Sequence, residues 1–284
     1  MTLARETLAG YEPKAKIGAG TNIYFTELNR SRPPLEALDI VAYTINPQVH
    51  AFDNASLVET LAAQATTATS ARQFCGDRPL LVSPISLQPR FNPNATGPEP
   101  TPEPGELPPQ VDPRQISLFG AGWTLGSIKY LAETGAVASV TYYETTGWRG
   151  VMETAQGSAL PQQFHSIAGG VFPLYHVLAD VGEFAGGTVI QSTSSEPLQV
   201  DGLVLQKDDH TRILVTNFTA QAQQVFIHPV QQQATVRYLD ETNAESAMAA
   251  PAEFRATAGD LLTVTAGKLE LTLRPFAVAC IDLT

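Results

Sequence analysis

The chain has 284 residues, 43% hydrophobic and 16% charged, with 21 prolines and 21 glycines. This excludes a highly charged disordered tail, and the absence of any run of about 18 apolar residues excludes a helical membrane span. The length suits two domains, each able to bury its own core. With 17 Lys and Arg against 28 Asp and Glu, the net charge of −11 is spread along the chain. Such a surface repels phosphate backbones, so neither nucleic acid nor a membrane is an expected partner.

Two cysteines, Cys75 and Cys280, are too few for a disulfide framework or a cysteine zinc site. Together with an N-terminus that lacks the apolar stretch of a secretory signal, they predict a cytoplasmic protein.

The first two-thirds alternates short β-branched or aromatic runs with helical stretches, the rhythm of βα units and a parallel sheet. Strands are predicted at residues 22–26, 40–45, 80–85 and 138–143. A helix should follow the second strand from near Ser56 to about Arg72, with Leu57 and Leu61 on one face, Ser56 and Glu59 fitting a capping box and Asp53 available as a cap. Another spans 118–133, ended by Gly135, and a third spans 170–181. Residues 92–114 carry eight of the 21 prolines with no apolar period, a long polyproline-type loop whose first residues suit a site wall. After Gly186-Gly187 the texture changes to short strands at 203–205, 212–217, 225–228, 235–239, 261–264 and 268–273, which predicts an antiparallel β-sandwich. The expected division is 1–185 and 186–284.

In βα architectures the reactive residues sit at the C-terminal ends of the strands. That rule selects Glu27 after the first strand, Asn46, His50 and Asp53 after the second, Arg90 after the third, and Glu144, Trp148 and Arg149 after the fourth. The glutamates are candidate acids or bases. The arginines suit a carboxylate or a polarised carbonyl, and Trp148 suits a sugar face. No Walker loop, dinucleotide fingerprint, nucleophile elbow or zincin motif occurs, and no cofactor or metal is expected.

Four blocks in order, Thr21-Asn22 through Thr26-Glu27-Leu28-Asn29, Asn46-Pro47-Gln48-Val49-His50-Ala51-Phe52-Asp53, Pro89-Arg90-Phe91-Asn92-Pro93 and Tyr143-Glu144-Thr145-Thr146-Gly147-Trp148-Arg149-Gly150, resemble the D-apionate lactonase family. The likeness extends to Pro275-Phe276-Ala277-Val278-Ala279-Cys280-Ile281-Asp282. It implies a glycosidase-like (β/α)8 barrel with flanking β-domains and hydrolysis of D-apionolactone to D-apionate in bacterial sugar catabolism. Family members are longer, so this chain resembles their C-terminal half, its four βα units being the fifth to eighth. A half-barrel has open edges, which implies a fragment or two copies that complete each other.

Three functions stay open on the residues. Lactone hydrolysis would use Glu144 or Glu27 as base with His50 assisting, Arg90 or Arg149 facing the carbonyl, and Asn22, Asn46 and Trp148 holding the sugar. A retaining glycoside hydrolase would use Glu27 and Glu144, which end strands n and n+3 of the expected sheet. A non-catalytic carbohydrate-binding remnant is the third.

Overall fold

The computed structural model describes residues 2–92, 95–98, 101–231 and 233–283. Pro93, Asn94, Glu99 and Pro100 of the proline-rich stretch lie outside the described residues. After an exposed helix α1 (Thr2–Leu8), four strands, β1 (Gly18–Gly20), β2 (Ile40–Ile45), β3 (Leu80–Ile85) and β4 (Ser139–Tyr142), form a parallel sheet in the order β1-β2-β3-β4. Helix α2 (Phe25–Arg30) follows β1. Helices α3 (Asn54–Glu59) and α4 (Leu61–Cys75) follow β2, and α5 (Leu118–Ala132) precedes β4.

The first strand departs from the sequence expectation. Asn22 and Ile23 form a bend and Phe25 and Thr26 already belong to α2; the strand lies earlier, at Gly18-Ala19-Gly20, paired in parallel with Ile40-Val41-Ala42. A Cβ on Gly20 would stand 1.6 Å from the Ala42 carbonyl oxygen, so the two backbones approach as only glycine permits. A strand made of two glycines and an alanine carries no β-branched signature. The helix caps follow the sequence more closely: the Asp53 side chain accepts from Ser56 N at 3.0 Å, and the Ser117 hydroxyl accepts from Gly120 N at 3.1 Å.

Helix α5 is buried almost all round. One side packs on α4 and on α3, where Trp123 Nε1 donates to the Leu57 carbonyl at 3.2 Å. The other packs on the second half of the chain, where a Cβ on Gly122 would meet Thr216 Oγ1 at 2.4 Å. Helix α6 (Pro173–Gly182) lies beside it.

Beyond α6 the strands are β5 (Thr188–Ile190), β6 (Val200–Lys207), β7 (His210–Asn217), β8 (Gln223–Ile227) and β9 (Ala234–Leu239). After two six-residue helices, α7 (Ala244–Ala249) and α8 (Pro251–Ala256), come β10 (Asp260–Leu262), β11 (Val264–Thr265), β12 (Lys268–Leu273) and β13 (Val278–Leu283). They make an antiparallel six-stranded sheet, β10-β9-β13-β7-β6-β5, and a three-stranded sheet, β11-β12-β8. In β12 the side chains of Leu269, Leu271 and Leu273 are buried between exposed neighbours, the period-two pattern of a half-solvated strand.

Strand β13 was not expected from the sequence, yet it pairs with both β7 and β9 at the middle of the larger sheet. Its Ala279, Ile281 and Leu283 join the core between the sheets, while Val278 and Cys280 join the core shared with α5. Burial on both faces makes residues 278–281 a continuous apolar run without alternation. The core that begins at Ile17 in the parallel half therefore continues into the sandwich.

Candidate functional site

Parallel pairing brings the C-terminal ends of β2, β3 and β4 to one edge, with Ile45 opposite Ile85 and Ile85 opposite Tyr142. Residues after those strands become neighbours there although 40 to 60 positions separate them. Two adjoining hollows open at this edge. The first is lined by Gln88, Arg90, Gln110, Asp112, Gln115 and Glu144 with Arg149, and the second by Asn22, Tyr24, Asn46, Ser86, Arg90 and Phe91. Arg90 lines both.

A tight loop after β4 sets the charged group. Glu144 N donates to the Arg149 carbonyl at 2.9 Å and Gly150 N to the Gly147 carbonyl at 2.7 Å. The reversal passes through Gly147 at φ +82°, a left-handed conformation that favours glycine. Glu144 and Arg149 are thereby held side by side, with Arg149 Nη2 2.9 Å from Glu144 Oε1. From the loop after β3, Arg90 Nη2 approaches the same oxygen at 3.5 Å. All three side chains are partly exposed, so each ion pair is worth about 0–1 kcal/mol.

Under this rim lies a buried network with no local sequence signal. Gln48 Nε2 donates to Asp112 Oδ2 at 2.5 Å and to the Leu87 carbonyl at 2.7 Å, and Gln48 Oε1 accepts from Gln88 and Arg114. Arg114 also donates to both oxygens of Asp112, at 2.9 and 2.7 Å. Gln115 Nε2 donates to the Gly150 carbonyl at 2.8 Å, locking the Glu144 loop to the helical turn Pro113–Ile116. The end of the proline-rich stretch thus supplies Gln110 and Asp112 to the wall of the first hollow, and Gln115 follows just after it. Asn46 Oδ1 is buried at the second hollow without a hydrogen-bond partner, a free acceptor beside Asn22 and Tyr24.

The structure brings together Asn22, Asn46, Arg90, Glu144 and Arg149 of the residues selected from sequence. It does not bring in the other four, of which Asp53 caps α3 and lines neither hollow. Glu27 stands inside α2, paired with Arg30 at 2.9 Å, because the segment expected to be a strand is helical; it lines neither hollow. His50 is exposed in the loop after β2 and lines neither hollow. Trp148 donates through Nε1 to Ser158 Oγ at 2.9 Å and packs its ring against Phe164, 6.3 Å between centroids. Among the described residues no group of three His, Cys, Asp or Glu side chains is arranged to hold a metal ion, and no helix is long and apolar enough to cross a membrane. Cys75 and Cys280 are buried free thiols, and burial pushes Cys280 well above the ordinary thiol range.

Residues 3–186 match the family model described as D-apionate lactonase, TIM barrel domain, and residues 197–281 match that of the D-apionate lactonase C-terminal immunoglobulin-like domain. The chain belongs to the D-apionate lactonase family. The D-apionate lactonase of Brucella anthropi is 32% identical over 216 residues, which are 76% of this chain and 34% of the relative. The matched region is thus about a third of that relative's length.

Among solved structures, the GH51 arabinofuranosidase of Xanthomonas axonopodis pv. citri superposes with a TM-score of 0.61 at 14% identity, covering 96% of this chain and 59% of that one. A 4-O-alpha-L-rhamnosyl-beta-D-glucuronidase of Fusarium oxysporum gives 0.61 at 14% identity, covering 98% and 62%. These likenesses identify the fold, a glycosidase-type TIM-barrel-like domain followed by an immunoglobulin-like β-domain.

Proposed function

We propose that the chain is the C-terminal half of a sugar-lactone hydrolase and acts on D-apionolactone, giving D-apionate, in bacterial carbohydrate catabolism. In this reading residues 1–185 are the fifth to eighth βα units of a barrel and residues 186–284 its sandwich domain. The open edges of β1 and β4 then call for a complement, either the first barrel half or a second copy of the chain. The observation that carries the reading is Glu144 poised between Arg90 and Arg149 at the C-terminal edge of the sheet, in a chain of this family.

Lactone opening adds water oxygen to the ring carbonyl carbon and breaks the bond from that carbon to the ring oxygen. The ring oxygen leaves as a hydroxyl, and the new acid releases a proton. Glu144 is the base that takes the proton from water and then returns it to the departing ring oxygen. Arg90 and Arg149 supply positive charge where the carbonyl oxygen becomes an oxyanion. Asn22 and Asn46, across Arg90, hold sugar hydroxyls, the buried Asn46 Oδ1 accepting one.

A retaining glycosidase needs two carboxyls about 5–5.5 Å apart across one site. The first hollow contains Glu144 and Asp112, but Asp112 is committed to Arg114 and Gln48, and Glu27 lines neither hollow. Lactone opening followed in a pH-stat tests the proposal on the chain with its complement. Glu144→Gln should lower kcat at least about 100-fold with KM nearly unchanged. Glu27→Gln should stay within about twofold of the parent. Full activity in Glu144→Gln, or cleavage of an aryl glycoside without lactone opening, would replace this assignment.

A further inference from the structure

We propose that Arg90 and Arg149 form a receptor for the carboxylate of an open-chain sugar acid, and that Glu144 is the chain's own occupant of that receptor. The inference rests on the reading of this edge as a lactonase site and adds what the site binds after the ring has opened.

Two guanidinium groups from separate loops converge on one oxygen, Glu144 Oε1, at 2.9 and 3.5 Å. Guanidinium is the side-chain group best matched to a planar carboxylate, and two of them around one carboxylate bind it more strongly than the hydroxyls of a neutral sugar require. The other charges of the hollow cancel, since Asp112 is paired with Arg114 underneath. That leaves two cations against one anion on the rim of a protein whose net charge is −11, a local excess suited to one further negative charge.

The occupant is held weakly. Glu144 is about one-third exposed, Arg149 a little more, and Arg90 half exposed, so an incoming carboxylate displaces Glu144 at small cost. The neighbouring amides suit a polyhydroxy chain. Gln88 and Gln115 line this hollow and each spends an amide N–H on the protein, on Gln48 and on the Gly150 carbonyl; the oxygen of a side-chain amide accepts from a hydroxyl. A sugar acid seated here competes with fresh lactone, and the site is inhibited by its product.

Calorimetric titration of the full chain with sodium gluconate, at constant ionic strength, tests the receptor without requiring turnover. Gluconamide, which has the same hydroxyls and no charge, is the control. Gluconate should bind and gluconamide should bind at least about tenfold more weakly. Glu144→Gln should bind gluconate about fivefold more tightly, because one competing ion pair is gone. Arg149→Gln and Arg90→Gln should each weaken it about tenfold, with far-UV circular dichroism unchanged. Equal binding of gluconamide, no tightening in Glu144→Gln, or full affinity in both arginine variants would overturn the proposal. Lactone opening is scored separately: a receptor that behaves as stated in a protein that opens no lactone refutes the reaction and keeps the receptor, and the converse result refutes the receptor alone.

Discussion

Gln48 and Asp112, 64 residues apart in sequence, meet Nε2 to Oδ2 at 2.5 Å beneath the C-terminal edge of the parallel sheet. Gln48 is 2% exposed and Asp112 4%, so both polar groups depend on each other and on Arg114 for the hydrogen bonds they lost with water. The contact joins the loop after β2 to the end of the proline-rich stretch, and so fixes the floor on which Arg90, Glu144 and Arg149 stand.

Removing the acid from this network leaves Arg114 without its counter-charge and takes from Gln48 Nε2 one of its two acceptors, the Leu87 carbonyl being the other. Asp112→Ala should destabilise the protein by about 3–5 kcal/mol, the usual result of breaking one side of a buried pair. Urea unfolding measures it. A loss below about 1 kcal/mol, the range of solvated surface pairs, would show that water reaches the network.

The glycine strand makes a sharper steric prediction. Gly20→Ala places a Cβ 1.6 Å from the Ala42 carbonyl oxygen, so β1 must separate from β2, at a cost of about 3 kcal/mol or more. Gly10→Ala, where nothing lies within 4 Å, should change stability by less than about 0.5 kcal/mol. Thermal unfolding of the two variants side by side checks the difference.

Burial pushes His176 down to about 4 from its ordinary value near 6.5. Its Nε2 contacts the Ala247 carbonyl at 3.0 Å and its Nδ1 is buried without a partner, as for a neutral ring with the proton on Nε2. Between pH 6.5 and 4 the unfolded chain binds this proton and the folded chain does not. The stabilisation from the neutral ring is therefore complete above pH 6.5 and is lost as pH falls towards 4, by about 3 kcal/mol in all. In His176→Phe, which keeps the ring packing against Phe254, the fall in urea-derived stability from pH 6.5 to 4.5 should be smaller than in the parent. An identical slope would assign the acid lability to other groups.

Lys129 ties α5 to the sandwich from a position 4% exposed, with Nζ 3.0 Å from Glu133 and 3.7 Å from Asp201. Burial pushes the Asp201 carboxyl up, and the lysine opposes that shift. Lys129→Met keeps the volume but strands two acids, and should cost about 3–5 kcal/mol at neutral pH. The deficit should shrink as pH falls and Asp201, already pushed up by burial, takes up a proton, a trend that denaturation at pH 5 and pH 7 would reveal.

The parts of this protein that repeat a local pattern are legible in its sequence. Residues 40–45 and 80–85 coincide with β2 and β3, Asp53 caps α3, Gly135 follows the end of α5 with φ +61°, and β12 alternates as written. The rule that chemistry collects at the ends of parallel strands also selected Asn46, Arg90, Glu144 and Arg149, which line the two hollows, because it needs only the strand and its next few residues.

What the sequence did not determine depends on partners distant along the chain. Gly18-Ala19-Gly20 is a strand only because Ala42 leaves no room for a side chain. Its displacement from 22–26 puts Glu27 in a helix facing Arg30 and leaves one of the two expected glutamates at the site. Strand β13 has no alternation because helix α5 covers one face and the small sheet the other. Gln48, Asp112 and Arg114 carry no periodicity at all. Their roles follow from desolvation at a point where three chain segments meet, and only the folded backbone decides where that point lies.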